Sequence, residues 1–232
     1  MGQKVNPIGF RTGITLGWKS RWYAPKAAYG EFLIEDHRIR RFVDDRLNRR
    51  PPYAAVSKIE IERTRSDVRV VLHTARPGLV IGPKGAEVDR LRVELEDLVD
   101  RKISVNIVEI KYPDLDAQLV AEGIAEQLKK RTSFRRAMKM RCESTMAAGA
   151  KGVRVMCSGR LGGAEMARKE TQKRGSIPLQ TLQANVSYGY AVAKTTYGTI
   201  GVKAWIYLGR FGEEIEPVAT DDHRGGRRRG RL

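Results

Sequence analysis

The chain has 232 residues, of which 44 are Lys or Arg and 27 are Asp or Glu, so its formal net charge is +17 at pH 7. Such a basic chain attracts polyanions, and its 41% share of hydrophobic residues excludes a wholly disordered polybasic tail. No apolar run approaches the ~20 residues that cross a bilayer, and residues 1–6 fit neither a secretory signal nor a myristoylation signal. We therefore expect a protein of a reducing, cytoplasmic compartment whose polyanionic partner is either nucleic acid or an anionic membrane surface.

The sequence contains no motif typical of a metal site or a nucleotide-binding site. Cys142 and Cys157 lack metal-ligand spacing, and His37, His73 and His223 are scattered along the chain. There is no GxxxxGK[ST] nucleotide loop, no GxSxG turn and no set of residues arranged for catalysis. The sequence predicts no metal, no cofactor and no enzymatic activity.

The first half of the chain predicts an arm followed by an α+β unit. Residues 1–17 are polar and broken by Gly and Pro, which predicts an extended arm whose Lys4 and Arg11 suit phosphate contacts. A 3.6-residue apolar period predicts a helix over residues 31–49, stopped by Pro51 and Pro52.

Alternating apolar residues around 59–61 and 68–72 predict two half-buried strands, with a tight turn at 65–67 that makes them a hairpin. A short helix, a Gly-rich loop, a longer helix to about Val99 and a strand over 104–110 follow. These elements predict one domain over residues 18–112.

The second half predicts another unit, over residues 113–210. Apolar periodicity indicates helices around 119–130 and from Phe134 to Gly149, and a strand starts at Val153. Residues 185–194 and 199–208 are rich in β-branched and aromatic residues and predict paired strands. Residues 211–232 end in an Arg-Gly run, which predicts a disordered tail that either binds polyanions or only aids solubility.

The first candidate RNA site is the loop formed by Gly82, Pro83, Lys84 and Gly85. Two glycines let the backbone approach a phosphate closely, and the free N–H groups of the following helix favour an anion. A plain helix-connecting turn is the alternative. The order of elements around the loop is the order expected of a type II KH domain, whose GXXG loop clamps single-stranded RNA.

The second candidate site is the helix that begins at Phe134. A helical wheel puts Phe134, Met138, Cys142 and Thr145 on one face, and no acid lies between residues 127 and 142. An ordinary solvated face would mix charges of both signs, so a purely basic face favours phosphate neutralisation. The basic residues of this site are Lys130, Arg131, Arg135, Arg136 and Lys139.

A third group of basic residues follows a Gly-rich stretch over 159–165. This stretch is either a phosphate-cradling connection from a strand to a helix or a turn whose glycines have positive φ. We predict that the basic residues here contact RNA; they are Arg160, Arg168, Lys169, Lys173 and Arg174.

The motifs together resemble a known family. The first eleven residues, MGQKVNPIGFR, and four later segments carry the resemblance: VIGPKG (80–85), FRRAMK (134–139), SGRLGGAE (158–165) and TYGTIGVK (196–203). The chain is similar to the S-three family of bacterial small-subunit ribosomal proteins from residue 1 to about residue 209. The Arg-rich tail departs from the family pattern, so no role is carried onto it.

The resemblance implies an α+β protein with an N-terminal type II KH domain, a three-stranded sheet with helices on one face, and a C-terminal α/β sandwich domain. It implies a structural place in the head of the small subunit, with small-subunit ribosomal RNA and proteins S-ten and S-fourteen as partners. It also implies that Arg135, Arg136 and Lys139 line the messenger RNA entry channel beside S-four and S-five, and help to guide and unwind messenger.

Two other functions stay open at this point. A free KH-type RNA regulator would need neither the long basic helix nor the N-terminal arm, because a large RNA is required to order both. A nucleic-acid lyase or a helicase would need a catalytic set or a nucleotide loop, and the sequence has neither.

Overall fold

Two four-stranded sheets organise the computed structural model, which describes residues 4–49, 53–64 and 67–213. The first sheet has the order β1-β2-β3-β4; its strands are β1 (Ser20–Arg21), β2 (Val56–Arg63), β3 (Asp67–Thr74) and β4 (Lys102–Glu109). Strands β2 and β3 form the predicted antiparallel hairpin, and β4 runs parallel to β3. The turn residues Arg65 and Ser66 lie outside the described part of the chain. The two-residue strand β1 was not predicted, because two residues carry no periodicity.

The helices of the first unit are α2 (Lys26–Val43), α3 (Pro77–Ile81) and α4 (Ala86–Val99), and a π-helical turn, Asp44–Asn48, extends α2. The predicted first helix thus begins five residues earlier than expected, directly after Pro25. Ile39, Leu91 and Leu95 bury their side chains against the strands. This packing holds the loop between α3 and α4 at one end of the unit.

The second unit places two helices on one antiparallel sheet. The helices are α5 (Ala117–Lys129) and α6 (Phe134–Ala147), and the strands are β5 (Gly152–Gly159), β6 (Arg168–Gly175), β7 (Ala184–Thr195) and β8 (Gly198–Arg210), in the order β6-β5-β8-β7. Val153, Val155 and Cys157 of β5 alternate into the core beneath the helices. Strand β6 was not predicted, because it is an edge strand of mostly exposed polar residues without apolar alternation.

The N-terminal segment is not an extended arm, which corrects that prediction. A short helix, α1 (Pro7–Arg11), begins after Asn6, whose side-chain oxygen accepts a hydrogen bond from Ile8 N at 2.9 Å. This helix packs against β7 of the second unit. Residues near the start of the chain therefore pack against the C-terminal unit instead of reaching outward.

Arg11 is fully buried, so its predicted contact with an RNA phosphate is also wrong. Its Nε donates to Ala184 O at 2.8 Å, and its Nη2 donates to Thr181 O at 2.9 Å and to Leu179 O at 3.1 Å. Its Nη1 donates to Pro7 O at 3.1 Å. Apart from Pro7 O, the carbonyls that satisfy the guanidinium lie 168 to 173 positions further along the chain, a role that charge alone does not reveal.

Polar contacts join the two units around the start of α5. Ser57 Oγ donates to Asp116 Oδ2 at 2.5 Å, while Asp116 Oδ1 accepts from Gln118 N at 2.8 Å and so caps the helix. Burial raises the pKa of Glu122 to about 7, with smaller contributions from Asp44 and Asp116, although Gln118 donates to its carboxylate at 2.7 Å. A carboxyl group that resists ionisation thus lies where the units meet.

Among the described residues, every helix is either too short or too polar to cross a membrane.

Replacing Arg11 tests the carbonyl-binding role of its guanidinium. Arg11→Ala should lower the free energy of unfolding by about 3 kcal/mol, because several buried carbonyls lose their donors. Urea denaturation followed by tryptophan fluorescence measures this change. The exposed Lys4→Ala should stay within about 0.5 kcal/mol of the parent protein; an equally small change for Arg11→Ala would contradict the assignment.

Glu122 predicts a specific pH dependence of stability. The unfolded chain releases this proton near the ordinary pKa of 4.5, whereas the folded protein keeps it until about pH 7. Stability should therefore fall as pH rises from about 4.5 to 7, by up to roughly 3 kcal/mol. Glu122→Gln should remove this fall in urea titrations at pH 5 and pH 8, whereas Glu109→Gln, an exposed control, should keep it. An unchanged pH profile in Glu122→Gln would exclude this group as the cause.

Candidate nucleic-acid interface

The basic residues of α6 stand on a helix that is fixed by its opposite face. Ala137, Met138, Cys142 and Thr145 are buried, while Arg135, Arg136 and Lys139 are exposed, so the predicted division of the helix into two faces is confirmed. Burial raises the pKa of Cys142 to about 11, which keeps its thiol neutral within the core. The cations therefore project from a rigid support.

Three of the five predicted cations of this region lack acidic partners among the described residues. Lys130 Nζ lies 2.8 Å from Glu126 Oε1, and Lys139 Nζ lies 3.9 Å from Glu143 Oε1. The three without a partner are Arg131, Arg135 and Arg136, whose guanidiniums have no carboxylate within 4.0 Å in the described ranges. Exposed ion pairs contribute little, so the surface keeps most of its positive charge available to phosphates.

Phe134 brings a cation of β6 to this helix. The guanidinium carbon of Arg135 lies 5.6 Å from the centre of the Phe134 ring, and that of Arg168 lies 5.5 Å from it. Such distances allow cation–π attraction on a partly exposed ring. The contact joins residues 34 positions apart, and no local pattern in the sequence predicts it.

The predicted basic residues of β6 divide between two faces of the sheet. Arg174 pairs in register with Val153, and its Nη2 lies 3.8 Å from Glu143 Oε1 of α6, so Arg168 and Arg174 lie on the helix-covered side. Lys169 and Lys173 alternate with them and lie on the opposite face. All four are exposed, but they form two surfaces instead of one.

The Gly-rich stretch before β6 is a turn, and the alternative of a strand-to-helix phosphate loop is wrong. Gly159, Gly162 and Gly163 have φ of 136°, 68° and 81°, and the chain continues into a strand. Arg160 Nε donates to Ala164 O at 2.9 Å, and its Nη1 donates to Tyr197 O at 3.1 Å. Arg160 thus holds the turn together, and its contact with RNA stays a prediction for the remaining N–H groups.

The loop of Gly82 to Gly85 has a left-handed backbone at both of its glycines, a conformation that residues with a Cβ rarely adopt. Gly82 has φ of 67°, and a Cβ there would lie 2.6 Å from Glu87 Cγ. Gly85 has φ of 81° and forms the N-terminal cap of α4 without a side-chain hydrogen bond. Lys84 is exposed and itself left-handed, with φ of 55°. The N-terminal end of α4, whose dipole favours an anion, and the Lys84 ammonium therefore share one exposed corner.

An acid near this corner is offset by two arginines. Glu87 in the first turn of α4 would repel a phosphate, but its carboxylate lies 3.0 Å from Arg90 Nη1 and 3.5 Å from Arg46 Nη2. Arg46 also pairs with Glu94, about two turns further along α4. The local charge at the loop is therefore set mainly by Lys84.

Lys4, predicted to contact ribosomal RNA, is exposed at the beginning of the described chain. Within the described ranges, no group of three or more His, Cys, Asp or Glu side chains is arranged to hold a metal ion.

Comparison with known proteins identifies both units. Residues 38–115 match the model of the KH domain, and residues 124–206 match that of ribosomal protein S3, C-terminal domain. The chain is 54% identical over 216 residues to the small ribosomal subunit protein uS3 of Rhodopirellula baltica, covering 92% of this chain and 91% of that one. It is 53% identical over 227 residues to the uS3 protein of Pelotomaculum thermopropionicum, covering 98% and 96%. The uS3 protein of Geobacter sulfurreducens is 54% identical over 209 residues, covering 90% and 97%.

These matches confirm the predicted α+β fold with an N-terminal KH domain, and the family resemblance seen in the motifs. The relatives are named as ribosomal proteins, which agrees with the predicted structural, non-enzymatic role. From the fold of its two units and its identity to these relatives over most of its length, the chain belongs to the uS3 family of small ribosomal subunit proteins.

Proposed function

We propose that this protein is a structural constituent of the small ribosomal subunit, that it binds ribosomal RNA in the subunit head, and that its α6 lines the messenger entry channel. The observation that carries the channel role is the exposed face of α6, where Arg131, Arg135 and Arg136 have no acidic partner among the described residues. A face of unpaired guanidiniums fits a chain of phosphates.

The geometry supports a passive mechanism for parting messenger duplexes. The side chains of Met138 and Cys142 anchor α6 in the core, so its cations form an edge that does not yield when RNA is pulled past it. Single-stranded phosphates gain from these cations, and the pull of the translating ribosome supplies the work. Arg168 extends the same edge through its contact with Phe134.

The partners follow from the same proposal. Small-subunit ribosomal RNA would be held by the basic surfaces of both units, and messenger RNA by α6. The resemblance to the S-three family supports proteins S-ten and S-fourteen as neighbours, with S-four and S-five at the entry channel, in cytoplasmic ribosomes. Lys4, Lys169, Lys173 and Arg174 are exposed and available to ribosomal RNA.

The KH loop is a second RNA contact in this proposal. The exposed Lys84 and the start of α4, which has no side-chain capping hydrogen bond, favour a backbone phosphate of single-stranded RNA, as in other KH domains.

Neutralising the basic edge tests the channel role. The triple variant Arg135→Gln, Arg136→Gln and Lys139→Gln should translate a messenger with a stable hairpin several-fold more slowly than the parent, because single strands are no longer stabilised beside the duplex. An unstructured messenger should be read at nearly the parent rate. Ribosomes reconstituted with each protein, and timed on both messengers, measure the difference.

A charge-matched control separates position from net charge. Lys26→Gln, Arg38→Gln and Lys102→Gln remove three exposed cations from the first unit and should leave the ratio of the two rates unchanged. Sedimentation in high salt first establishes that both variants remain in small subunits. Equal slowing on both messengers would exclude the channel role of α6.

The loop variant Pro83→Asp with Lys84→Asp should weaken binding of the full-length protein to single-stranded RNA by about 1–3 kcal/mol, the usual worth of a lost contact. Fluorescence anisotropy with a labelled oligonucleotide measures the affinity. The matched control, Lys26→Asp with Ala27→Asp, makes the same charge change at two exposed residues of α2. If both variants lose the same affinity, the loop is only a turn.

A further inference from the structure

Helices α5 and α6 cover one face of the sheet of the second unit, and α1 packs against its edge strand β7. Helices α5 and α6 pack over Val153, Val155 and Cys157 of β5 and over Val202 and Ile206 of β8. The alternating residues point to the other side of the sheet, where many of them remain partly or fully exposed. A sheet face left open in this way is a candidate binding surface.

Register pairs show which side chains share the open face. Lys173 of β6 pairs with Arg154 of β5, Arg154 pairs with Trp205 of β8, and Trp205 pairs with Tyr188 of β7. Two residues further along β7, and so on the same face, Tyr190 pairs with Lys203. Direct cross-strand partners lie on the same face. We call these six residues the aromatic platform: Arg154, Lys173, Tyr188, Tyr190, Lys203 and Trp205.

The aromatic side chains of the platform are held in place by their neighbours. The guanidinium carbon of Arg154 lies 5.1 Å from the Trp205 ring centre, and the Trp205 and Tyr188 ring centres are 5.5 Å apart. The indole thus lies between a cation and a phenol ring. Arg154 Nε is buried and has no hydrogen-bond partner in the described structure.

Tyr190 is the most exposed aromatic ring of the platform, at 48% of its full accessible surface. Its ring lies across Gly201 of the adjacent strand, because a Cβ built at Gly201 would be 3.7 Å from both Tyr190 Cε2 and its hydroxyl. Gln118 of α5 fixes the strand here by accepting from Tyr190 N at 3.1 Å and donating to Tyr190 O at 3.2 Å. One side of the ring rests on the sheet, and the rest is open to a ligand.

The charge on this face has one sign. The four strands contain a single acidic residue, Glu170, which pairs with the buried Cys157 and so belongs to the helix-covered side. In the described structure, Arg154, Lys173 and Lys203 have no carboxylate within 4.0 Å. Aromatic rings interleaved with unpaired cations fit RNA, because bases stack on rings while phosphates meet the cations.

We propose that the aromatic platform binds an unpaired segment of the small-subunit ribosomal RNA, with a base stacked on Tyr190 and the flanking phosphates on Lys203 and Lys173. This deepens the proposed function, since it rests on the ribosomal RNA-binding role. The platform and α6 lie on opposite faces of one sheet, so RNA held here is distinct from messenger at the α6 edge. A protein partner would be expected to leave a more apolar or mixed-charge surface.

Site-specific crosslinking in assembled subunits tests the occupant. Val192 is 41% exposed and two residues from Tyr190 on the same face, so p-benzoylphenylalanine introduced there probes what covers the platform. Irradiation should join the protein to ribosomal RNA, detected as nuclease-sensitive material of raised mass. A crosslink to a protein, or none to ribosomal RNA, would overturn the proposal.

Binding measurements test the stacking. For the full-length protein and a single-stranded oligouridine 12-mer, Tyr190→Ala should weaken affinity about tenfold, the usual effect of losing one stacked base. Tyr190→Phe keeps the ring and should recover most of that loss. Tyr23→Ala removes an aromatic ring that is 94% exposed on the first unit and should bind as the parent does.

The α6 triple variant separates this proposal from the channel role. If the platform binds independently, Tyr190→Ala should cause the same fold-loss in the parent and in the triple variant. No loss from Tyr190→Ala in either background overturns the platform, whatever the messenger experiment shows. Conversely, if the α6 triple variant translates structured messengers at the parent rate, the channel role is rejected. The tenfold loss of affinity expected for Tyr190→Ala does not depend on that result.

Discussion

The packing of the apolar side of α6 against the second sheet decides where the RNA-binding groups of this protein lie. Met138, Cys142 and Thr145 are buried, which turns Arg135 and Arg136 outward. The same packing occupies one face of the sheet, and the aromatic platform lies on the other face. Because burial of apolar side chains is the main favourable contribution to folding, the cations need no favourable contacts of their own to stay in position. A set of like charges is thus maintained on a fixed support.

Arg11 shows that a basic residue in an RNA-binding protein can have a purely internal role. Its guanidinium is buried with no acidic partner in the part of the chain that the structure describes, and it is compensated by carbonyl oxygens of Pro7, Leu179, Thr181 and Ala184. Burying a charge is costly unless its hydrogen bonds are satisfied, and the planar fork of donors in arginine fits several carbonyls at once. The N-terminal segment and the loop before β7 therefore depend on each other, and the first residues of the chain belong structurally with its C-terminal unit.

The basic residues of strand β6 alternate between the two faces of the sheet and so belong to two different surfaces. Arg168 and Arg174 join the face with α6, and Lys169 and Lys173 join the face with the aromatic platform. A sheet in which both faces carry cations lets the protein hold two RNA segments on opposite sides of one layer. In our proposals these segments are the moving messenger and the stationary ribosomal RNA, which a structural protein at a channel must keep apart.

The sequence by itself determined the basic character of the protein, the order of its KH domain and the two faces of α6. These depend on composition or on residues within a few positions of one another, and helical periodicity assigns such neighbours to faces directly. Only the tertiary structure decided the roles of Arg11 and Arg160, the strand β6 and the aromatic platform. Arg11 meets Ala184 across 173 positions, and Tyr188 meets Trp205 through strand register. A strand without apolar alternation cannot be recognised from its own sequence, and neither can a cation whose partners are backbone carbonyls. In both cases the groups that define the feature come from distant parts of the chain.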